Sequence, residues 1–165
     1  MAKKFFLAFL AIILLNLGAF AQTQISTAAQ FLAIQQGGNY IQTADIDLGN
    51  VGTKTAAIIQ NFSGIYDGNG YTITYQATFQ GNNVTDASFG LFGHVTGTIK
   101  NLNVNGEATI SGNGSDMQIG LLCGKLANSQ TETSSGNRPV NYSYTYKMGN
   151  ISHCSVSGNV TSTVY

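Results

Sequence analysis

The chain has 165 residues, which allows one domain of ordinary size. Only 8% of the residues are charged, against about 25% in an average soluble domain, whereas Ser, Thr, Asn and Gln occupy 57 positions and Gly another 20. The low charge argues against a nucleic-acid-binding protein, which needs clustered Lys and Arg, and against a long-helix protein. Because 43% of the residues are apolar, the chain can bury a core and is not expected to be disordered.

The first 21 residues have the pattern of a secretory signal peptide. Two lysines precede an apolar run from Phe5 to Leu15, and a small-residue cleavage pattern ends at Ala21. The run is shorter than the roughly 20 residues of a membrane span. We therefore expect cleavage before Gln22, export to the cell surface or medium, and no membrane span in the mature chain; an uncleaved anchor is the alternative. The mature chain carries five basic and seven acidic residues, a formal charge of −2.

Residues 22–44 are predicted to form an N-terminal cap. The segment TQISTAAQFLA, Thr23 to Ala33, places the good N-cap residues Ser26 and Thr27 before a helical stretch, which predicts one short capping helix. Beyond it, short runs that alternate apolar residues with Thr, Asn or Ser are separated by Gly, which predicts an all-β domain. The clearest predicted strands are Tyr40–Leu48, Thr72–Phe79, Phe89–Val95 and Thr98–Val104.

Two segments of the chain are repeated. FGLFGHV at Phe89–Val95 aligns with GLLCGKL at Gly120–Leu126, an offset of 31 residues. GTIKNLNVNG at Gly97–Gly106 aligns with GNISHCSVSG at Gly149–Gly158, an offset of 52. The 21-residue difference predicts an insertion at about residues 128–148. A repeat of about 30 residues built from strands and glycine turns is typical of a solenoid, whose rungs we place in residues 45–165.

A bend is predicted inside each repeat. Leu102 and Val104 alternate as a strand requires, but Ile99 is out of phase with them by one residue. If all three side chains point inward, the chain must turn at Asn101, a residue type that tolerates left-handed backbone geometry. The corresponding inward residues of the second copy are Ile151, Cys154 and Val156.

These segments together resemble the GLUG-repeat proteins of bacterial cell surfaces. The resemblance includes FSGIYDGNGYTI at Phe62–Ile73, the repeated segments above, and the lead-in segments ISTAAQFLAI at Ile25–Ile34 and YIQTADIDLG at Tyr40–Gly49. It implies a right-handed parallel β-helix with a short N-terminal capping helix, as in adhesin-like proteins and in non-catalytic regions of some secreted immunoglobulin-cleaving metallopeptidases. The chain departs from the pattern at His153, where the repeat favours Asn, and at the insertion.

No enzymatic machinery is predicted. The two histidines, His94 and His153, do not form the paired-histidine motif HExxH of zinc peptidases. Asp45 and Asp47 share a strand face, but the other acidic residues are scattered, and Asp67 lies in a DGNG turn. We therefore expect no catalytic residue, no metal ligand and no cofactor. The alternative is the non-catalytic N-terminal part of a secreted carbohydrate-active enzyme or peptidase.

The two cysteines, Cys123 and Cys154, align with the inward residues Phe92 and Leu102. Export permits a disulfide between them. Two buried thiols that pack as small apolar side chains fit the pattern equally well.

The insertion is the predicted contact surface. Tyr142, Tyr144 and Tyr146 alternate along NYSYTYKM and therefore share one face of an extended strand, with Arg138 shortly before them. Tyrosines and a nearby arginine suit binding to a glycan or a protein partner. The alternative is a hairpin that packs these tyrosines against the flank of the rungs.

The sequence as a whole predicts a secreted or cell-surface, non-enzymatic structural or adhesion module. Its expected partners are host or matrix glycans or proteins, and not nucleic acids. The rungs are expected to continue beyond Tyr165, because a solenoid needs capped ends. If the protein ends at Tyr165, end-to-end self-association through the open strand edges is expected instead.

Overall fold

The computed structural model describes residues 22–135 and 141–164, most of which form β-strands. The helix in this part of the chain, α1, spans Ala28–Leu32 and begins with a capping box. Thr27 Oγ1 accepts a hydrogen bond from the Gln30 backbone N–H at 3.2 Å, and Gln30 Oε1 accepts one from the Thr27 N–H at 3.2 Å. The short capping helix therefore begins after Thr27, as its cap residues predicted, and the strand Thr23–Ile25 that precedes it was not predicted.

Most of the strands form three parallel sheets that the chain visits in a repeating order. In chain order they are β1 (Thr23–Ile25), β2 (Asn39–Gln42), β3 (Ile46–Lys54), β4 (Ile59–Phe62), β5 (Ile65–Asp67), β6 (Thr72–Gln80), β7 (Ser88–Phe89), β8 (Phe92–Val95), β9 (Thr98–Lys100), β10 (Asn103–Gly112), β11 (Gln118–Ile119), β12 (Cys123–Leu126), β13 (Asn128–Ser135), β14 (Asn141–Met148), β15 (Asn150–Ser152) and β16 (Ser155–Val164).

Sheet I has the order β12-β8-β4, sheet II the order β1-β2-β5-β9-β15, and sheet III the order β16-β10-β6-β3. The chain runs from sheet I to sheet II to sheet III along β4, β5 and β6, and again along β8, β9 and β10. It does so a third time along β12, β15 and β16. The short strand β7 follows the first pass and β11 follows the second, and these two strands pair with each other in parallel. The fold is therefore all-β, as the alternation predicted.

One predicted strand is divided between two sheets. Tyr40–Leu48 was expected to be continuous, but β2 belongs to sheet II and β3 to sheet III. The chain turns between them at residues 43–45. The Gln42 side chain lies inside this corner and donates to the carbonyls of Ala44 at 2.8 Å and Thr72 at 3.1 Å. The sequence of Tyr40–Leu48 does not indicate this corner, because no glycine or proline marks the turn.

The strand register reproduces both offsets found in the sequence. Phe92 pairs with Cys123 across β8 and β12, an offset of 31. Ile99 pairs with Ile151 across β9 and β15, and Val104 with Val156 across β10 and β16, an offset of 52. Between β12 and β15, strands β13 and β14 form an antiparallel hairpin that occupies the position of the 21-residue insertion.

Corners between sheets II and III hold residues in left-handed backbone geometry. Asn101 has a φ of 53°, which confirms the predicted bend. His153 occupies the equivalent corner with the same φ of 53°, and Asn69 has a φ of 52° in the preceding corner. Asn and His are among the few residue types with side chains that adopt this geometry at modest cost.

The core lies between the three sheets and is closed by α1 at one end. The inward ladder of sheet III, Ile46, Ile73 and Val104, is at most 2% exposed. Phe31 of α1 is fully buried and packs edge-on against Tyr66 and Phe92, with ring centroids 5.7 and 5.9 Å apart. Such aromatic pairs add about 0.5–1.5 kcal/mol each beyond the burial of their area, so α1 is fixed as a lid.

At the opposite end, the inward ladders finish on exposed side chains. Leu126 is 52% exposed, Val156 50% and Val160 44%. Their neighbours one strand earlier are Val95, Val104 and Ala108, each of which is at most 3% exposed. The last strand of each ladder therefore presents apolar surface to solvent.

Candidate functional site

The predicted contact surface coincides with the β13–β14 hairpin. Tyr142, Tyr144 and Tyr146 are alternate residues of β14, in register with Ser134, Glu132 and Gln130 of β13. The side chains of these tyrosines lie outside what the structure describes, as does the whole of Arg138. The backbone register therefore gives the shared strand face, and the tyrosine surface itself stays a prediction.

Both cysteines are free thiols. The Cys123 thiol donates to the Gly93 carbonyl at 3.9 Å, and the Cys154 thiol to the Ser152 carbonyl at 3.3 Å. Both side chains pack against the apolar core, as small apolar residues would. Burial raises the pKa of the Cys123 thiol, although the backbone N–H groups of Lys125 and Val95 offset part of the rise. A raised pKa leaves less thiolate and makes Cys123 a poor nucleophile.

The carboxylates at corners are occupied by local hydrogen bonds. Asp45 Oδ1 accepts from the Thr72 N–H at 2.8 Å, and Asp47 Oδ1 from the Gly49 N–H at 2.8 Å. Asp67 Oδ1 accepts from the Asn69 N–H at 2.9 Å, and its Oδ2 lies 3.0 Å from Lys100 Nζ. Within residues 22–135 and 141–164, no three His, Cys, Asp or Glu side chains are grouped closely enough to hold a metal ion.

A groove on the outer face of sheet I is a candidate site that the sequence did not predict. Gln60 and Asn61 of β4 and His94 of β8 form its floor, and Asn61 and His94 are paired in register. Its walls are the β3–β4 connection at residues 55–57 and the segment at residues 86–89, which ends in β7. The groove has a volume of about 300 Å³.

Glycine in β8 makes room for these walls. A Cβ atom on Gly93 would lie 2.7 Å from the Gln60 carbonyl oxygen, 2.9 Å from the Ala57 Cβ and 3.1 Å from the Ser88 carbonyl oxygen. Gly124, one strand further along, would meet the backbone of Phe89 at 2.7 Å in the same way. Gly93 and Gly124, which are aligned in the repeated segments FGLFGHV and GLLCGKL, therefore allow other segments to pack directly on sheet I. We call these segments, residues 55–57 and 86–89, the outer layer.

The polar groups of the groove differ in how they are occupied. Lys125 Nζ contacts both oxygens of the Asp86 carboxylate, at 3.0 and 3.2 Å, so the charge of Asp86 is balanced at the edge of the groove. His94 Nε2 is buried and has no hydrogen-bond partner among the described residues. Buried polar atoms of this kind are uncommon, because the lost hydration costs about 1–3 kcal/mol.

The groove was not predicted because its parts are distant in sequence. The 31-residue repeat aligned His94 with Lys125, but it gave no indication that residues 55–57 and 86–89 cover the same sheet. The paired glycines were the available signal, since a glycine at a strand position can mark a close approach of another backbone.

A second groove, of about 550 Å³, lies on the other side of the β3–β4 connection. Leu32, Ile34 and Gln36 form one of its walls, and it shares Gln60 and Asn61 with the first groove. The two grooves therefore meet along β4.

Comparison with known proteins finds no match: no family model, no curated protein and no solved structure is similar to this chain. No helix within the described residues has the length and apolar character that crossing a bilayer requires.

Proposed function

We propose that the protein is an exported, non-enzymatic adhesion module of a bacterial surface, built as a right-handed parallel β-helix of the GLUG-repeat kind. The observation that carries the proposal is the strand order. The chain passes three times through the same three parallel sheets, with registers equal to the sequence offsets of 31 and 52. A stack of this kind is a stiff support whose outer faces and insertions can carry contacts.

The β13–β14 hairpin is the proposed contact element. It is inserted between β12 and β15 without disturbing the register on either side. The alternate tyrosines of β14, together with Arg138, are suited to a glycan or a protein partner, because Tyr offers a flat apolar face with a polar tip.

Replacement of Tyr142, Tyr144 and Tyr146 by Ser tests this contact surface. Retention on a printed glycan array, or on plates coated with collagen or fibronectin, should fall by about tenfold or more, because aromatic anchors supply most of the energy of such contacts. Tyr71→Ser, at a partly exposed tyrosine outside the hairpin, is the control and should retain binding. Undiminished retention by the triple variant, with an unchanged far-UV spectrum, would remove the hairpin from the proposal.

Export is tested separately. Expression of the full chain in a bacterial host with a signal peptidase should give a mature protein whose first residue is Gln22. A protein that keeps Met1 and stays in the cytoplasmic fraction would contradict export, whatever the hairpin binds.

A further inference from the structure

We propose that the groove at His94 is a binding site for a neutral saccharide segment of about two sugar rings. The groove lies on sheet I, on elements separate from the β13–β14 hairpin, so the site can exist whether or not the hairpin binds a partner. Its polar lining residues are Thr55, Gln60, Asn61, Asp86, Ser88 and His94.

The chemistry of these side chains matches a polyhydroxyl ligand. Each sugar hydroxyl both donates and accepts a hydrogen bond, so its site needs groups of both kinds. The amides of Gln60 and Asn61 each offer donors and an acceptor, the hydroxyls of Thr55 and Ser88 do both, and a neutral imidazole donates at one nitrogen and accepts at the other. Gln60, Asn61 and Thr55 are exposed and need no rearrangement to meet a ligand.

The charge of the groove favours a neutral ligand over an anionic one. Asp86 is the charged residue among those that line it, and Lys125 contacts both oxygens of its carboxylate. The ammonium group is thus already paired and does not present a free positive charge for sulfate or phosphate. Because this ion pair carries no net charge, an anionic sugar gains no net attraction there to offset its loss of hydration.

His94 gives the site a group that gains from a ligand. Its Nε2 is buried without a hydrogen-bond partner in the described part of the chain. A ligand hydroxyl that reaches this nitrogen would satisfy it and recover part of its hydration cost. The imidazole nitrogens are therefore the most direct reporters of occupancy.

The size of the groove limits the ligand to about two sugar rings. A volume of about 300 Å³ accommodates a ligand at the small end of the range for protein pockets. The second groove, beside Leu32 and Gln36, shares the exposed side chains of Gln60 and Asn61 with the first but is a separate depression.

Titration of the mature protein with cellotetraose, chitotetraose and laminaritetraose tests the proposal. The imidazole ¹⁵N resonances of His94 should shift with at least one of these neutral tetrasaccharides. His153 is the other histidine of the chain and lies at an exposed corner, so its resonances should stay in place. A sulfated heparin tetrasaccharide should shift neither histidine.

A double variant, Gln60→Ala with Asn61→Ala, tests the floor of the groove. Loss of two amide contacts should weaken the binding of the active tetrasaccharide by about tenfold or more. Gln80→Ala with Asn159→Ala removes two exposed amides from sheet III and should bind as the wild type does. Three results would overturn the proposal: no shift at His94 with any neutral tetrasaccharide up to its solubility limit, a shift with the heparin fragment alone, or undiminished affinity in the groove variant. The triple tyrosine variant should keep groove binding, which separates this test from that of the hairpin.

Discussion

The left-handed corners between sheets II and III are occupied by Asn69, Asn101 and His153. Asn101 and His153 have the same φ of 53°, but their side chains are engaged differently. Asn101 Nδ2 donates to Asp67 Oδ1 at 3.0 Å and so joins two successive corners. His153 is exposed and lies at the last corner of the stack. Asparagine therefore fits the backbone geometry and also extends a hydrogen-bond ladder between turns of the chain.

Substitution of the two corner residues by alanine separates these contributions. Asn101→Ala should lower the free energy of unfolding by about 2–3 kcal/mol, from left-handed strain and the lost hydrogen bond. His153→Ala should lower the free energy of unfolding by about 1 kcal/mol or less, because only the backbone strain at this corner changes. Urea denaturation of both variants measures the difference. Equal costs would show that the contact with Asp67 contributes nothing.

The carboxylate of Asp67 is expected to make stability depend on pH. Burial raises the pKa of Asp67, but the hydrogen bonds from Asn101, Lys100 and Asn69 together lower it by more. The pKa therefore lies below the usual value of an aspartate. A pKa that is lower in the folded state stabilises the fold above the unfolded pKa of about 3.9, and this contribution is lost as the pH falls through the folded pKa.

The Asp67→Asn variant should therefore be less stable than the wild type at pH 7, and the gap should narrow as the pH falls below about 4. Thermal unfolding between pH 2 and 7 measures it. Asp116→Asn removes a carboxylate from an exposed turn and controls for the change in net charge. A constant gap between Asp67→Asn and the wild type over the whole range would refute the linkage.

At the level of elements, the packing of the outer layer on sheet I depends on Gly93. A methyl group there would overlap the backbone of Gln60 and the side chain of Ala57. We expect Gly93→Ala to lower the free energy of unfolding by about 2–3 kcal/mol. Gly37→Ala is the matched control, because its added Cβ would have its nearest contact at an ordinary 3.7 Å, to Ser63 Oγ. Denaturant midpoints that fall equally in the two variants would contradict the close approach.

Gly93→Ala should also alter the His94 groove, because Ala57 and Ser88 belong to its walls. Partial displacement of the outer layer would reduce saccharide affinity together with stability. The double variant Gln60→Ala with Asn61→Ala changes two exposed residues. It should reduce saccharide affinity, while its denaturant midpoint stays near that of the wild type.

Local pattern was sufficient for the elements that repeat and insufficient for those that turn. The offsets of 31 and 52 predicted the register, because each ladder stacks like side chains at fixed separations. The strand Thr23–Ile25 was not predicted, because its pairing with β2 is a contact that local propensity does not contain. The division of Tyr40–Leu48 and the groove beneath residues 86–89 likewise depend on tertiary packing.

At the scale of the whole molecule, the two ends of the stack differ. Helix α1 covers one end and buries its Phe31 side chain fully in the core. At the other end, β16 is the outer strand of sheet III, and within the described residues no strand pairs with its outer edge. The segment Ser155–Val164 contains no charged residue and no proline, and it therefore lacks the devices that commonly protect an edge strand.

A polypeptide of residues 22–165 should therefore self-associate through β16. Val160→Lys places a charge on the inward face of this edge and should shift the protein towards monomer by at least tenfold in dissociation constant. Thr109→Lys adds the same charge to the exposed face of the central strand β10 and should associate as the wild type does. Sedimentation velocity over a range of concentrations decides between them. A wild-type polypeptide that stays monomeric throughout would contradict association through this edge.

The β13–β14 hairpin is inserted between β12 and β15 without changing the strand register on either side. Strands on both sides keep their places in sheets I and II although 21 extra residues lie between them. The register of the parallel sheets is thus compatible with an insertion at this point. Loops of other lengths and sequences should be exchangeable there, which makes the junction at Ala127 and Gly149 a natural grafting position for engineered recognition loops.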